Sequence, residues 1–313
     1  MDRGDVEAVL KLADEVEQMA PMSAEWFRAI AAAKSERWSD CIGHCHRIIE
    51  SDPAVLNTRR LLCTAQRALA DFASAAAVCG EILDIADEPE PSDLWASMTV
   101  GTLAQDWDLV RRAGVALGME FSTSEGPIEE EWSPCLITFV DPGEGESTWM
   151  AARTGPATAR IVSIGDPHKH QRYGDQIVFE PVPLDPMDPD SDAMPRYEHL
   201  LTIVEGGYRA FAVEGLAPHE HEWVELREAA VDAGFPVWRY PTDPVMVEGE
   251  ERETLLCTFA VADGDPVGAL VELINDLSAS WSDAPSFEML AEQAGLDPEP
   301  HRRILDQIYR ISD

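Results

Sequence analysis

Lysine is scarce in this chain, occurring only as Lys11, Lys34 and Lys169, and all Lys and Arg together number 23 against 59 Asp and Glu, for a net charge of −36. A surface so short of cations repels phosphates, so no nucleic-acid partner is expected. Long apolar runs are missing as well. The opening residues MDRGDVEAVLKLADEVEQMA are broken by charge every few positions, unlike the apolar core of a secretory signal, and no later stretch reads as a membrane span. The cysteines, at 41, 45, 63, 79, 135 and 257, lack framework spacing and fall on apolar periodic segments, the pattern of reduced thiols. These absences together predict a cytoplasmic protein without a membrane partner.

Signatures of catalysis are also lacking. There is no Walker lysine, no serine elbow and no cysteine nucleophile with a placed histidine, and carboxylates are too abundant for any two to be paired as acid and base. Gly143-x-Gly145 follows a candidate strand but lacks the third glycine, the helix and the downstream acid of a dinucleotide site, so it reads as a turn. Asp188-x-Asp190-x-Asp192 has the opening spacing of a calcium loop, yet Ala193 stands where glycine is needed and His199 where a bidentate glutamate is needed. It reads as an acidic surface loop among Pro186, Pro189 and Pro195. His-x-His occurs at His44/His46, His168/His170 and His219/His221, the first beside Cys41 and Cys45, but no second Cys or His pair follows at zinc-finger spacing. The sequence therefore predicts no catalytic, cofactor-binding or metal-ligating residues and no cofactor, and it weighs against an enzyme.

What is present is repetition. With 313 residues and 45% hydrophobic composition the chain can bury two cores. Residues 37–53, RWSDCIGHCHRIIESDP, place Trp38, Cys41, Ile42, Cys45, Ile48 and Ile49 on one helical face, with Asp52-Pro53 as the stop. The pattern returns 34 residues later, Phe72 matching Trp38, Ala75 matching Cys41, Cys79 matching Cys45, and Ile82-Leu83 matching Ile48-Ile49. Trp107 continues the series, and Trp26 and Trp95 each precede their aromatic by twelve residues. A capping helix from about Val6 to Met19 comes first. On these residues the N-terminal part resembles the tetratricopeptide repeat family, whose units are antiparallel helix pairs with an aromatic and a small residue opening the second helix and a proline closing it. The resemblance implies a stack of helical hairpins over residues 1–121 whose inner groove holds a protein or peptide segment.

An acidic, turn-rich linker is expected at 122–133, and an α+β domain at 134–313. Apolar runs at 135–140, 147–152, 157–164 and 175–182, with turns at 153–156 and 173–175, predict a small curled antiparallel sheet. Strands at 208–215, 236–240 and 253–262 with helices at 221–234 and 266–277 predict a ferredoxin-like βαββα layer. The order of Trp149, the Gly174-Asp175 turn and the later strand-helix pairs resembles a family of uncharacterised bacterial domains, a likeness that assigns no role. Residues 286–310 resemble a helix-turn-helix through Ala291, Gly295, Leu296, Ile304 and Leu305. The second helix, however, opens Asp297-Pro298-Glu299-Pro300, carboxylates that would face phosphates, so a terminal packing hairpin is expected.

The leading expectation is a non-enzymatic scaffold or adaptor that grips a protein or peptide partner in the helical groove. Two alternatives stand beside it. One is an immunity-type or nucleic-acid-mimic protein that neutralises a basic partner by charge, although a charge excess also describes a surface adapted to salt. The other is an unrecognised hydrolase in the C-terminal domain, which would need His168, His170 or His219 to converge in a polar pocket.

Overall fold

The computed structural model describes residues 3–141, 143, 145–165, 167–186, 193–247 and 249–309. The chain divides into two compact units, one formed by residues 1–132, 153–158 and 178–186, the other by residues 133–152, 159–177 and 187–313. The fold is mixed α and β.

Seven helices build most of the first unit: α1 (Arg3–Val16), α2 (Pro21–Lys34), α3 (Trp38–Ser51), α4 (Leu56–Ala68), α5 (Phe72–Ile85), α6 (Pro91–Ala104) and α7 (Trp107–Ala116). Each packs on the next in sequence, as a row of helical hairpins. Proline opens α2 and α6, where its missing N–H is no loss. The buried stripe of α3, Cys41, Cys45 and Ile48, repeats on α5 as Ala75, Cys79 and Ile82, so one packing solution is used twice.

The repeat extends to the backbone of the turns. Glu36, Ala70 and Gln105 all sit in the left-handed region at φ 57, two residues before Trp38, Phe72 and Trp107. In each turn the next amide donates back to the preceding helix, Arg37 to Ala32 at 2.9 Å, Asp71 to Gln66 at 2.9 Å and Asp106 to Gly101 at 2.7 Å. These are the paired bonds of a helix terminator, normally built with glycine. The carboxylates of Asp71 and Asp106 then cap α5 and α7 by accepting from the amides of Ser74 and Leu109. All three aromatic rings are half-buried at the first position of their helices, which makes them equivalent.

Residues 118–133 carry neither helix nor strand but are tied to α7. The Arg111 guanidinium donates to the carbonyls of Thr123 and Gly126, Ile128 is buried with the helical core, and Phe121 lies so close to Gly114 that a Cβ there would stand 2.5 Å from its ring. The amides of Glu130 and Trp132 donate to the carbonyls of Thr154 and Arg153, whose guanidinium lies 5.0 Å from the Trp132 ring and 5.3 Å from that of Phe179.

Five strands follow: β1 (Pro134–Asp141), β2 (Gly145–Arg153), β3 (Thr158–Ile161), β4 (Gln176–Glu180) and β5 (Arg196–Val204). They close into a barrel in that order, where the sequence predicted a small curled antiparallel sheet. The closing strand β5 was not anticipated, and it pairs in parallel with β1, Ile137 opposite Tyr197. Closure removes both sheet edges and buries Ile137, Phe139, Ile161, Ile177 and Val178.

The rest of the second unit comprises β6 (Tyr208–Leu216), α8 (Glu220–Asp232), β7 (Val237–Arg239), β8 (Val245–Val247), β9 (Glu250–Arg252), β10 (Thr254–Ala262), α9 (Val267–Ser278), α10 (Glu288–Gln293) and α11 (Glu299–Tyr309). β10 lies between β6 and β7 and runs antiparallel to both, while β8 and β9 form a separate hairpin. Alternation gives this sheet two faces. Phe211, Val213, Leu255, Cys257 and Phe259 join residues of α8, α9 and α10 in one core, and Ala212, Glu214, Leu256 and Thr258 point the opposite way. No helix among the described residues is long and apolar enough to cross a membrane.

Candidate functional site

Within the helical unit a groove of about 530 Å³ opens along α4 and α6. Residues spaced by four put one stripe of each helix on it, Arg60, Thr64 and Ala68 from α4 and Ser92, Ala96 and Val100 from α6. Thr64, Ala68, Ser92 and Ala96 are small and exposed, so the groove stays open, while Trp38, Ile82 and Val100 supply apolar surface. Cys63 and Cys79 lie at its base with their sulfurs 3.1 Å apart.

Two cations line this groove, and both are already held. Arg60 forks onto Asp93, Nε to Oδ1 and Nη2 to Oδ2 both at 2.7 Å, and also reaches Glu90 at 2.9 Å. Arg67 pairs with Glu180. The groove thus presents guanidinium edges whose charge is balanced, a lining suited to backbone carbonyls and small side chains of an extended segment.

A second cavity, of about 420 Å³, lies in the second unit on the outer face of the three-stranded sheet. Ala212, Leu256, Tyr240, Met289 and Leu305 make it mainly apolar, with Thr258, Glu214, Ser286 and Glu288 as polar groups and His168 at the lining. Glu214 and Ser286 exchange both backbone hydrogen bonds across an antiparallel bridge, Glu214 N to Ser286 O at 2.8 Å and Ser286 N to Glu214 O at 2.6 Å. Residues paired in this way send their side chains to the same face. Burial pushes the Glu214 carboxyl above its usual range, and the nearby Glu288 pushes it further. The Glu288 carboxylate itself accepts from Arg302 Nε at 2.6 Å.

A polar cleft of about 530 Å³ is lined by Phe139, His170, Arg172, Asp175, His199, Thr202 and Glu205 among others. Asp175 is buried there with both oxygens taken, Oδ1 by the Gly206 amide at 2.7 Å and Oδ2 by the Arg172 amide at 2.8 Å. It clamps two loops instead of offering a base. The loops touch closely enough that a Cβ on Gly206 would stand 2.1 Å from the Tyr173 carbonyl. His199 lies with its ring centroid 4.3 Å from that of Phe139.

The three histidines named for the hydrolase reading do not converge. His168 lines the sheet-face cavity, His170 the polar cleft, and His219 caps α8, its amide donating to Glu222 at 2.8 Å. His44 Nδ1 lies 2.8 Å from Glu25 Oε2, His46 is exposed, and Cys41 and Cys45 are buried in the helical core. Among the described residues no group of three or more His, Cys, Asp or Glu could hold a metal ion. The run from Asp188 to Asp192 lies outside the described residues.

The terminal segment also differs in detail from its helix-turn-helix likeness. Ser286 belongs to the bridge with β6 and α10 starts only at Glu288, since the bridge takes up the opening of the segment that resembles a helix-turn-helix. Leu296, expected in a core, is exposed. His301 takes the place of an apolar residue by lying 4.0 Å from the Phe287 ring centroid and accepting the Phe287 amide on Nδ1 at 3.3 Å. In comparisons with known proteins, no protein-family model and no curated protein matches this chain.

Proposed function

We propose that this chain is a non-enzymatic association scaffold whose helical hairpins, of tetratricopeptide type, hold an extended segment of a partner protein. The observation that carries the reading is the open groove along α4 and α6, with small exposed residues at its mouth and apolar surface beneath. The left-handed turns at Glu36, Ala70 and Gln105 support the tetratricopeptide assignment, because the same chain reversal joins the two helices of three successive hairpins, α2 with α3, α4 with α5 and α6 with α7. In the second unit the order β6, α8, β7, β10, α9 with β10 central supports a ferredoxin-like layer as a further surface.

The test is affinity capture by the full chain from its native host, read by mass spectrometry, with Ala96→Trp as the blocked groove. Ala96 is exposed, so the added ring fills the groove without entering the core. A partner captured by wild type at high salt and lost with A96W supports the groove. A partner equally retained by A96W and released by salt overturns it in favour of the acidic surface.

A further inference from the structure

We propose that the cavity on the outer face of the three-stranded sheet binds a small organic cation, a protonated amine carried on an apolar body, with Glu214 as its counter-ion and Ser286 Oγ as a second hydrogen-bonding group. The proposal is independent of the groove. Its first support is a carboxylate without a cation. Glu214 is half-buried in an apolar lining, and among the described residues no opposite charge or hydrogen bond offsets that burial. The arginine nearby is committed to Glu288.

The second support is a buried hydroxyl without a partner. Ser286 is 2 % exposed, and its Oγ makes no hydrogen bond among the described residues. Buried polar groups are nearly always paired, so a lone hydroxyl beside a lone carboxylate marks a place where a bound group completes the pairing. The bridge between Glu214 and Ser286 fixes the two on one face, a few ångströms apart by sheet geometry.

The remaining lining selects the rest of the ligand. Ala212, Leu256, Met289 and Leu305 provide apolar walls, and the volume of about 420 Å³ lies within the range of small-molecule sites. Two carboxylates disfavour an anion, and a neutral alcohol would leave Glu214 uncompensated. An ammonium group supplies the missing charge to Glu214 and has an N–H to spare for Ser286.

The full chain is titrated by calorimetry with butylamine, phenethylamine and tryptamine, and with phenethyl alcohol and phenylacetate, in about 0.3 M NaCl to screen the exposed acidic surface. At least one amine is expected to bind at a single saturable site. Phenethylamine should bind about tenfold or more tighter than phenethyl alcohol, and phenylacetate should not bind. Glu214→Gln should weaken the amine by about tenfold or more, and Ser286→Ala by a few-fold, whereas Glu228→Gln, at a mostly exposed carboxylate on α8, should leave it unchanged. Ser286→Ala removes a hydroxyl that no group among the described residues uses, so it keeps the test decisive should E214Q fail to fold. Absence of saturable binding by all three amines, equal affinity for amine and alcohol, or amine affinity unchanged in a folded E214Q overturns the proposal.

Discussion

Arg60→Ala should cost the helical unit about 2 kcal/mol, through Asp93 more than through the arginine itself. Asp93 is 5 % exposed and Arg60 30 % exposed, and the pair is joined by two parallel bonds of 2.7 Å. Removing one partner of a fully enclosed pair costs about 3–5 kcal/mol because the other charge stays buried. Two features reduce the figure here. Arg60 is partly solvated, and Asp93 sits in the first turn of α6, where the helix dipole favours an anion by about 0.3–1 kcal/mol. The assay is a double-mutant cycle of R60A, D93A and the double variant, with urea unfolding followed by helical ellipticity. A coupling energy of about 2 kcal/mol is expected, since D93A removes the stranded charge. A coupling below about 0.5 kcal/mol would show that Arg60 is not held by Asp93, and its guanidinium would then count as free charge in the groove.

Three other substitutions test the packing and the turns. Gly165→Ala should destabilise the second unit by about 2 kcal/mol or more, because the new Cβ would stand 1.5 Å from Cη2 of the buried Trp149; unchanged urea stability would refute that packing. Ala70→Gly should stabilise the helical unit by about 0.5–1 kcal/mol by relieving the left-handed backbone at an exposed site, and a loss of stability would refute the turn assignment. Burial holds the His301 pKa below its ordinary value, opposed by the Pro285 carbonyl and Glu288. The folded state then binds fewer protons than the unfolded one, so this contribution is complete above about pH 6.5 and is lost as pH falls toward the lowered folded value. Hydrogen-exchange protection factors of α10 and α11, which are corrected for the pH dependence of the intrinsic rate, should fall over that interval in wild type, and His301→Phe should flatten the dependence.

The helices were legible because a 34-residue period carries its own control, each stripe being checked by the next. The strands of the three-stranded sheet were legible as short apolar runs between turn formers, since one face of that sheet is a core. Barrel closure was not legible. β5 reads RYEHLLTIV, with Glu198 and His199 interrupting its apolar pattern, and its partner β1 is distant in the chain, so no local signal joins them. The sheet-face cavity was hidden for the same reason. Glu214 and Ser286 meet only through a bridge between β6 and the residues before α10, and in sequence Ser286 reads as the opening of a segment resembling a helix-turn-helix. Glu214 among 59 acidic residues carried no mark of its own, and burial without a counter-charge is a property that only three dimensions confer.

The parallel seam between β1 and β5 has a consequence for biosynthesis. A ribosome delivers the hairpin row first, and each hairpin can dock on its predecessor as it emerges, needing only neighbours in the chain. β1 must wait, its free edge exposed, until everything through β5 has been translated. During that wait the nascent chain is open to pairing with a foreign strand. Synonymous changes that slow decoding between β1 and β5 should therefore lower the yield of soluble protein, while those within the hairpins should leave it unaltered.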